Sequence, residues 1–239
     1  MINQTLTAIG LMSGTSMDGI DVAVLRTDGH RVEGFGPSTF VPYEIDFRER
    51  LRSVLGTEPF GNKKIPSLTK DLTDQHIKAV QKIISDNNVD PTTIDVIGFH
   101  GHTVFHKPSK GMTFQIGDGA RLARKTGISV VCDFRSNDVA HGGQGAPLAP
   151  VFHAALSWNY EKPLAVLNIG GVANVTWISP DGGLIAFDTG PGNALIDDWV
   201  RFHKKGDMDN LNSPSAEFFD SSEVGHLYGE HAKGWHALV

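Results

Sequence analysis

One order of parts occurs twice in this chain: strand, glycine-rich bend, strand, Asp-Gly turn, strand. Few folds accommodate that duplication. The first copy runs through the apolar stretches Leu6–Leu11 and Ile20–Leu25, joined by a bend of small, hydroxylated and acidic residues. It then crosses Asp28-Gly29 into an extended run at Val32–Pro42. The second copy runs through Leu164–Ile169, Gly170-Gly171, Val172–Ile178, the turn Pro180-Asp181-Gly182-Gly183 and Leu184–Phe187. The copies share the order of their parts rather than their residues. Asp-Gly between extended runs is a strong hairpin signal, so each copy predicts a three-stranded antiparallel unit. Two such modules facing each other would bring both glycine-rich bends to one cleft.

Between the copies the period changes. Phe47, Leu51 and Val54 recur at helical spacing, as do Leu68, Leu72, Val80, Ile83 and Ile84 within Ser67–Asn87. Val96–Phe99 reads as a buried strand that ends in a His/Gly-rich loop. Ala120–Lys125 reads as a short helix closed by Gly127, and Ile128–Phe134 as a further strand. Strands alternating with helices predict an α/β fold. A division near residue 140 gives a first domain over residues 1–140 and a second over 141–239. Asn137–Pro150, with Gly142-Gly143-Gln144-Gly145, reads as the linker or hinge. The stretch from His203 to Val239 is polar, His-rich and weakly periodic, and reads as loop or tail.

Composition excludes several partner classes. The 239 residues carry a net charge of -6, spread along the chain, which argues against a nucleic-acid or anionic-membrane surface. The single cysteine, Cys132, rules out an intrachain disulfide and fits a reducing compartment. No apolar run approaches the ~20 residues that span a bilayer, and the N-terminus lacks the positive start of a secretion signal. A cytoplasmic protein is expected.

The bend Gly14–Asp21 is the first candidate site. Gly14 and Gly19 suit a tight bend, Thr15 and Ser16 offer hydroxyls beside main-chain N–H groups, and Asp18 and Asp21 offer carboxylates to a hydrated divalent cation. Such parts can cradle a polyphosphate and its magnesium; an ordinary glycine-rich turn has the same residues. Asp188-Thr-Gly-Pro-Gly-Asn193 is the second candidate. It reads as an aspartate at a strand end followed by a tight turn into a helix over Ala194–Phe202. Asp188 could act as a general base or simply cap that helix. His100, His102 and His106 invite a zinc reading, although no His-Glu-x-x-His or cysteine pair accompanies them. Gln115, Asp118, Asp133 and Arg135 combine amide, carboxylate and guanidinium groups near strand and helix ends. They suit a polar sugar, with Arg135 or Arg121 pairing its acidic substituent; an internal Asp133–Arg135 ion pair is the plain alternative.

Taken together, Met12-Ser-Gly-Thr-Ser-Met-Asp-Gly-Ile-Asp21, Gly98-Phe-His-Gly-His-Thr-Val-Phe-His106, Gln115-Ile-Gly-Asp118, Asp133-Phe-Arg135, Gly142-Gly-Gln-Gly-Ala-Pro-Leu148, Asn168-Ile-Gly-Gly-Val-Ala-Asn174 and Asp188-Thr-Gly-Pro-Gly-Asn193 resemble the anhydro-N-acetylmuramic acid kinase family. The resemblance implies duplicated actin-like (ribonuclease H-like) α/β domains with mixed sheets flanked by helices. It implies an ATP- and Mg²⁺-dependent kinase of peptidoglycan recycling, which converts 1,6-anhydro-N-acetylmuramic acid and water to N-acetylmuramic acid 6-phosphate. Its partners would be the amino sugar and ATP, with a homodimer as one option. Carried over by residue, Gly14, Thr15, Ser16, Met17, Asp18, Gly19, Ile20 and Asp21 form the phosphate loop, with Asp18 toward Mg²⁺. Asn168, Gly170 and Gly171 belong to a second phosphate-facing hairpin. Asp188 is the base that activates water, and His100, Gln115, Asp118, Asp133 and Arg135 face the sugar. Members of that family extend well past the Asp188 motif, so the resemblance implies an incomplete second domain. A truncated, catalytically impaired sugar- or nucleotide-binding remnant is the alternative.

Overall fold

The computed structural model describes residues 4–14, 17–169, 172–192 and 199. These fall into two compact units, divided between Ala146 and Pro147.

The first unit begins with β1 (Leu6–Met12), β2 (Gly19–Thr27) and β3 (Val32–Pro42). They form an antiparallel meander in which Ile9 opposes Val24 and Leu11 opposes Val22. The β2–β3 turn is built as its sequence demands. Gly29 takes the left-handed conformation (φ 86°), and the Asp28 carboxylate accepts the His30 and Arg31 amides at 2.8 and 2.7 Å. Helices α1 (Ile45–Arg52) and α2 (Ile65–Asp86) follow, then β4 (Val96–Phe99), the hairpin β5 (His102–Lys107) and β6 (Met112–Ile116), α3 (Gly119–Thr126), β7 (Val130–Cys132) and the short α4 (Ser136–Ala140). The main sheet has the order β3-β2-β1-β4-β7, with β4 parallel to both β1 and β7. An antiparallel meander extended by parallel crossover strands is the mixed α/β arrangement of a ribonuclease H-like domain.

Apolar periodicity explains the core. Ile9, Ile20, Val22 and Val24 line one sheet face, and Leu68, Leu72, Ile77, Val80 and Ile83 form the buried stripe of α2. Phe99 and Ile97 from β4 and Leu122 from α3 complete the same cluster.

The second unit opens with α5 (Ala149–Leu156), followed by β8 (Leu164–Ile169), β9 (Val172–Ile178) and β10 (Leu184–Pro191), again an antiparallel meander. Its buried cluster is small: Leu164, Val166 and Ile178, with Ala154 and Tyr160 packed against them.

Two expectations need correction and one is sharpened. The loop expected after Phe99 is confined to His100 and Gly101, because β5 pairs with β6 from His102↔Ile116 to Lys107↔Met112. The period-2 signal is hidden by histidine and lysine on its exposed end. The stretch 137–150 holds the boundary between the two units, as expected of a linker, and is locally anchored. The Gly143 amide donates to the Asp138 carbonyl at 2.8 Å, the Gly145 amide donates to the Asp138 carboxylate at 2.6 Å, and α4 and the start of α5 occupy its ends. Finally, the turn expected at Asp188 is strand, because β10 continues to Pro191 with a bulge between Asp188 and Gly190. The helix expected over 194–202 and the tail over 203–239 lie outside the described residues, apart from Trp199.

Candidate functional site

The bend between β1 and β2 is held at both ends by main-chain bonds. The Met17 amide donates to the Gly14 carbonyl at 3.0 Å, and the Tyr43 amide donates to the Asp18 carbonyl at 2.8 Å. The left-handed residue is Met17 (φ 56°) rather than a glycine. Burial of its side chain, 7% exposed, within the core pins that conformation. Gly19 is needed for a different reason than turning. A Cβ there would lie 2.4 Å from the Val41 carbonyl oxygen and 2.5 Å from the Phe40 ring, so only glycine lets β3 approach. Asp18 is half-buried, and its carboxylate accepts the Gly19 amide at 3.0 Å. Desolvation, with the neighbouring Asp18 charge second, raises the Asp21 carboxyl above the usual range. Two carboxylates that oppose each other's charge suit a shared divalent cation. Ile20 is fully buried and contributes packing. Thr15 and Ser16 lie outside the described residues.

A cleft of about 260 Å³ opens beyond the carboxyl ends of β4 and β7, where α/β sheets place ligands. Its lining includes His100, Gln115 and Asp133, three of the five residues expected to face a sugar, together with Thr113, Cys132 and Ser136. Arg135 joins them through His100, donating from Nε to the His100 Nε2 at 3.0 Å. His100 Nδ1 contacts the Gly101 carbonyl at 3.0 Å, so the imidazole donates from Nδ1 and accepts at Nε2. That pattern needs a neutral ring. Burial, and then the Arg135 charge, lower the His100 pKa accordingly. Arg135 also donates to the Gly145 carbonyl at 2.5 Å, and makes no ion pair with Asp133. The Asp133 backbone is left-handed (φ 58°), and its carboxylate accepts the Ser136 hydroxyl. Gln115 Nε2 donates to the Thr113 hydroxyl at 2.8 Å.

Asp118 and Arg121 stand apart from that cleft. Asp118 caps α3, accepting the Arg121 amide at 2.8 Å. The Arg121 guanidinium is engaged by Asp74 at 2.7 Å. With Lys70 it holds the Asp74 carboxyl down at about 2. The three histidines considered for zinc turn to separate partners: His100 to Arg135, His102 to Ser13, and His106 to Thr113. Among the described residues no group of three or more His, Cys, Asp or Glu could hold a metal ion.

In the second unit, register decides the site. Asn168 opposes Asn174, and Asn174 opposes Asp188. The three therefore form one cross-strand row. They share the sheet face whose preceding rows are Leu164/Ile178/Leu184 and Val166/Thr176/Ala186. At one end that face buries Leu164, Val166, Thr176 and Ile178, and it changes to amide, amide and carboxylate at the other. Asn174, not expected as a site residue by itself, stands at the centre. Its sequence signal is the mirror placement of Asn168 and Asn174 about the Gly170-Gly171 bend. The bulge after Asp188, with Gly190 at φ 145°, re-aims the strand at this point. Gly170 and Gly171 lie outside the described residues.

Comparison with known proteins places the chain in a family. The family model for anhydro-N-acetylmuramic acid kinases matches residues 6–217. An anhydro-N-acetylmuramic acid kinase of Paramagnetospirillum magneticum is 56% identical over 196 residues, covering 82% of this chain and 54% of that protein. Those of Acidiphilium cryptum and Rhodospirillum rubrum are 55% and 52% identical, over 82% and 84% of this chain and 54% of each relative. The chain thus spans about half the length of the curated relatives it matches. It belongs to the anhydro-N-acetylmuramic acid kinase family.

Proposed function

We propose that this chain carries the phosphate-binding and sugar-binding elements of an ATP-dependent kinase acting on 1,6-anhydro-N-acetylmuramic acid, in the cytoplasmic recycling of peptidoglycan. In that reaction water attacks the anomeric carbon and the C1–O6 bond breaks. O6 takes the γ-phosphoryl group, ADP leaves, and N-acetylmuramic acid 6-phosphate results. Phosphoryl transfer needs positioning and charge neutralisation more than covalent chemistry.

The observation that carries this reading is the β1–β2 bend: glycine-rich, acidic and fixed at both ends by main-chain bonds, inside a chain that belongs to this kinase family. Thr15 and Ser16 would present hydroxyl and main-chain donors to the phosphates, and Gly14, Met17 and Gly19 would shape the bend around them, the Met17 and Gly19 amides being engaged by Gly14 and Asp18. Asp18, with Asp21 beside it, would hold Mg²⁺, which neutralises charge on the phosphates when bound. Asn168, Gly170 and Gly171 would form the second phosphate-facing hairpin, joined by Asn174. His100, Gln115, Asp133 and Arg135 would contact the sugar, the Arg135 guanidinium suiting a carboxylate substituent. Asp118 would support that set from the start of α3. Asp188 would take the proton of the attacking water.

A coupled ADP-release assay with the anhydro sugar, beside calorimetry with each ligand, tests the reading. Turnover should appear with both ligands, and Asp188→Asn should lower it by roughly 100-fold or more while Mg·ATP affinity stays unchanged. An active Asp188→Asn variant would contradict the base assignment. Binding of both ligands without ADP release would leave a sugar- and nucleotide-binding protein rather than a kinase.

A further inference from the structure

Three side chains outside the proposed contacts meet behind the β1–β2 bend. Ser13 is 2% exposed, Tyr43 5% and His102 0%. The Tyr43 hydroxyl donates to the Ser13 Oγ at 2.8 Å, and the Ser13 Oγ meets His102 Nδ1 at 2.9 Å. The imidazole tautomer sets which partner donates in the Ser13–His102 contact, and burial keeps the ring neutral, with a pKa near 4. Tyr43 also packs its ring against Phe47, with centroids 4.9 Å apart.

Tyr43 thus grips the bend twice. It follows β3 directly after the Gly19↔Pro42 pair. Its amide binds the Asp18 carbonyl at the exit of the bend, and its hydroxyl binds Ser13 at the entrance. His102 opens β5 and is paired with Ile116 of β6, so the entrance is tied to a second hairpin as well. The Tyr43–Ser13–His102 chain is buried, where a hydrogen bond is stronger than in water; the His102 Nε2 has no hydrogen-bond partner among the described residues.

We propose that Tyr43 is a positioning residue for nucleotide phosphate, acting through Ser13 and His102 to fix the span from Ser13 to Asp18. This rests on the reading of residues 14–21 as the phosphate loop. Without the hydroxyl, the backbone grip on Asp18 remains while Ser13 keeps only its His102 contact, so the entrance of the bend is held by one side-chain bond instead of two and the exit is unchanged.

Tyr43→Phe keeps the ring and removes only that hydroxyl; Ser13→Ala removes the same bond from the other side. In the full chain without ligand, exchange of the amides of residues 13–19 should quicken by about tenfold in Tyr43→Phe, the scale of one lost buried hydrogen bond. Amides of β4 and β8 should keep their rates. The Kd for Mg·ATP should rise by a similar factor, that for the anhydro sugar should not move, and the double variant should lose no more than Ser13→Ala alone, which also removes the His102 contact. A purely structural role would weaken both ligands together or neither. Unchanged exchange in 13–19, or faster exchange with unchanged Mg·ATP affinity, would overturn the proposal. A wild-type protein that binds no Mg·ATP would instead overturn the phosphate-loop reading, and the exchange rates would still decide whether Tyr43 clamps the bend.

Discussion

The meanders β1-β2-β3 and β8-β9-β10 share one design and differ in what lies on their two faces. In each, one face carries buried apolar rows: Ile9/Val24 and Leu11/Val22 in the first unit, Leu164/Ile178 and Val166 in the second. The opposite faces diverge in part. In the first unit that face mixes the small or polar Ala8, Gly10, Asp21 and Ala23 with Leu25 and the exposed Met12, Phe35 and Phe40. In the second it carries Leu167, Ile169, Trp177, Ile185 and Phe187, exposed by 38–60% of their surface. The surrounding elements diverge too. The first meander continues into parallel β4 and β7 with α2 against β2 and β3, whereas in the second unit α5 packs against β9 and β10. A hairpin-plus-strand module is therefore not a domain by itself. Its stability comes from the helices and crossover strands that cover it. The bend proposed to hold phosphate sits on the unit with the larger core among the described residues.

The largest predicted contrast between the units is in acid. His76 and His102 are both fully buried, and burial holds both near pH 4. His76 Nδ1 contacts the Leu72 carbonyl at 2.8 Å, and His100, His102 and the Phe99 ring are its neighbours. Each imidazole is neutral in the folded chain, while its unfolded counterpart takes up a proton below about 6.5. The unfolded state therefore binds more protons as pH falls, and stability present above pH 6.5 is lost progressively toward pH 4. At about 1.4 kcal/mol per unit and per group, the pair removes on the order of 4 kcal/mol from the first unit by pH 5. All four tryptophans, Trp158, Trp177, Trp199 and Trp235, follow residue 146. Intrinsic fluorescence thus reports the second unit, while amide exchange in α2 and β4 reports the first. Loss of exchange protection in α2 between pH 7 and 5, ahead of any fluorescence change, is the expected result. Equal protection at both pH values would break the contrast.

A much smaller effect is predicted on the exposed face of the second unit. Ile185 is 60% exposed, so Ile185→Lys should change stability by no more than about 0.5 kcal/mol in urea unfolding followed by fluorescence. It should also reduce binding of a hydrophobic dye. A cost of several kcal/mol would show that this face is packed against something.

Much of this was legible in the sequence because the signals were local. The strands at 6–12, 19–27 and 32–42 follow from apolar alternation and one Asp-Gly turn, and α2 follows from a long 3.6-residue stripe. The β5–β6 hairpin escaped because His106 and Lys107 sit where apolar residues would mark a strand. The Gly142–Gly145 segment escaped because its anchor, Asp138, acts through loop amides. At the candidate site, His100 and Arg135 were identified as separate members, but their mutual bond depends on tertiary placement. Ser13 and Tyr43 gave no sequence signal at all. Their contact joins residues 30 apart, and that of Ser13 with His102 joins residues 89 apart.

The central claim is that the β1–β2 bend receives nucleotide phosphates. Hydrogen exchange of the full chain with and without saturating Mg·ATP tests it most directly. The account predicts that protection rises over residues 13–21, with the 164–178 hairpin as the next most affected segment, and that the first effect is lost when ATP is replaced by adenosine. Protection confined to other segments, or an identical response to adenosine, would contradict it.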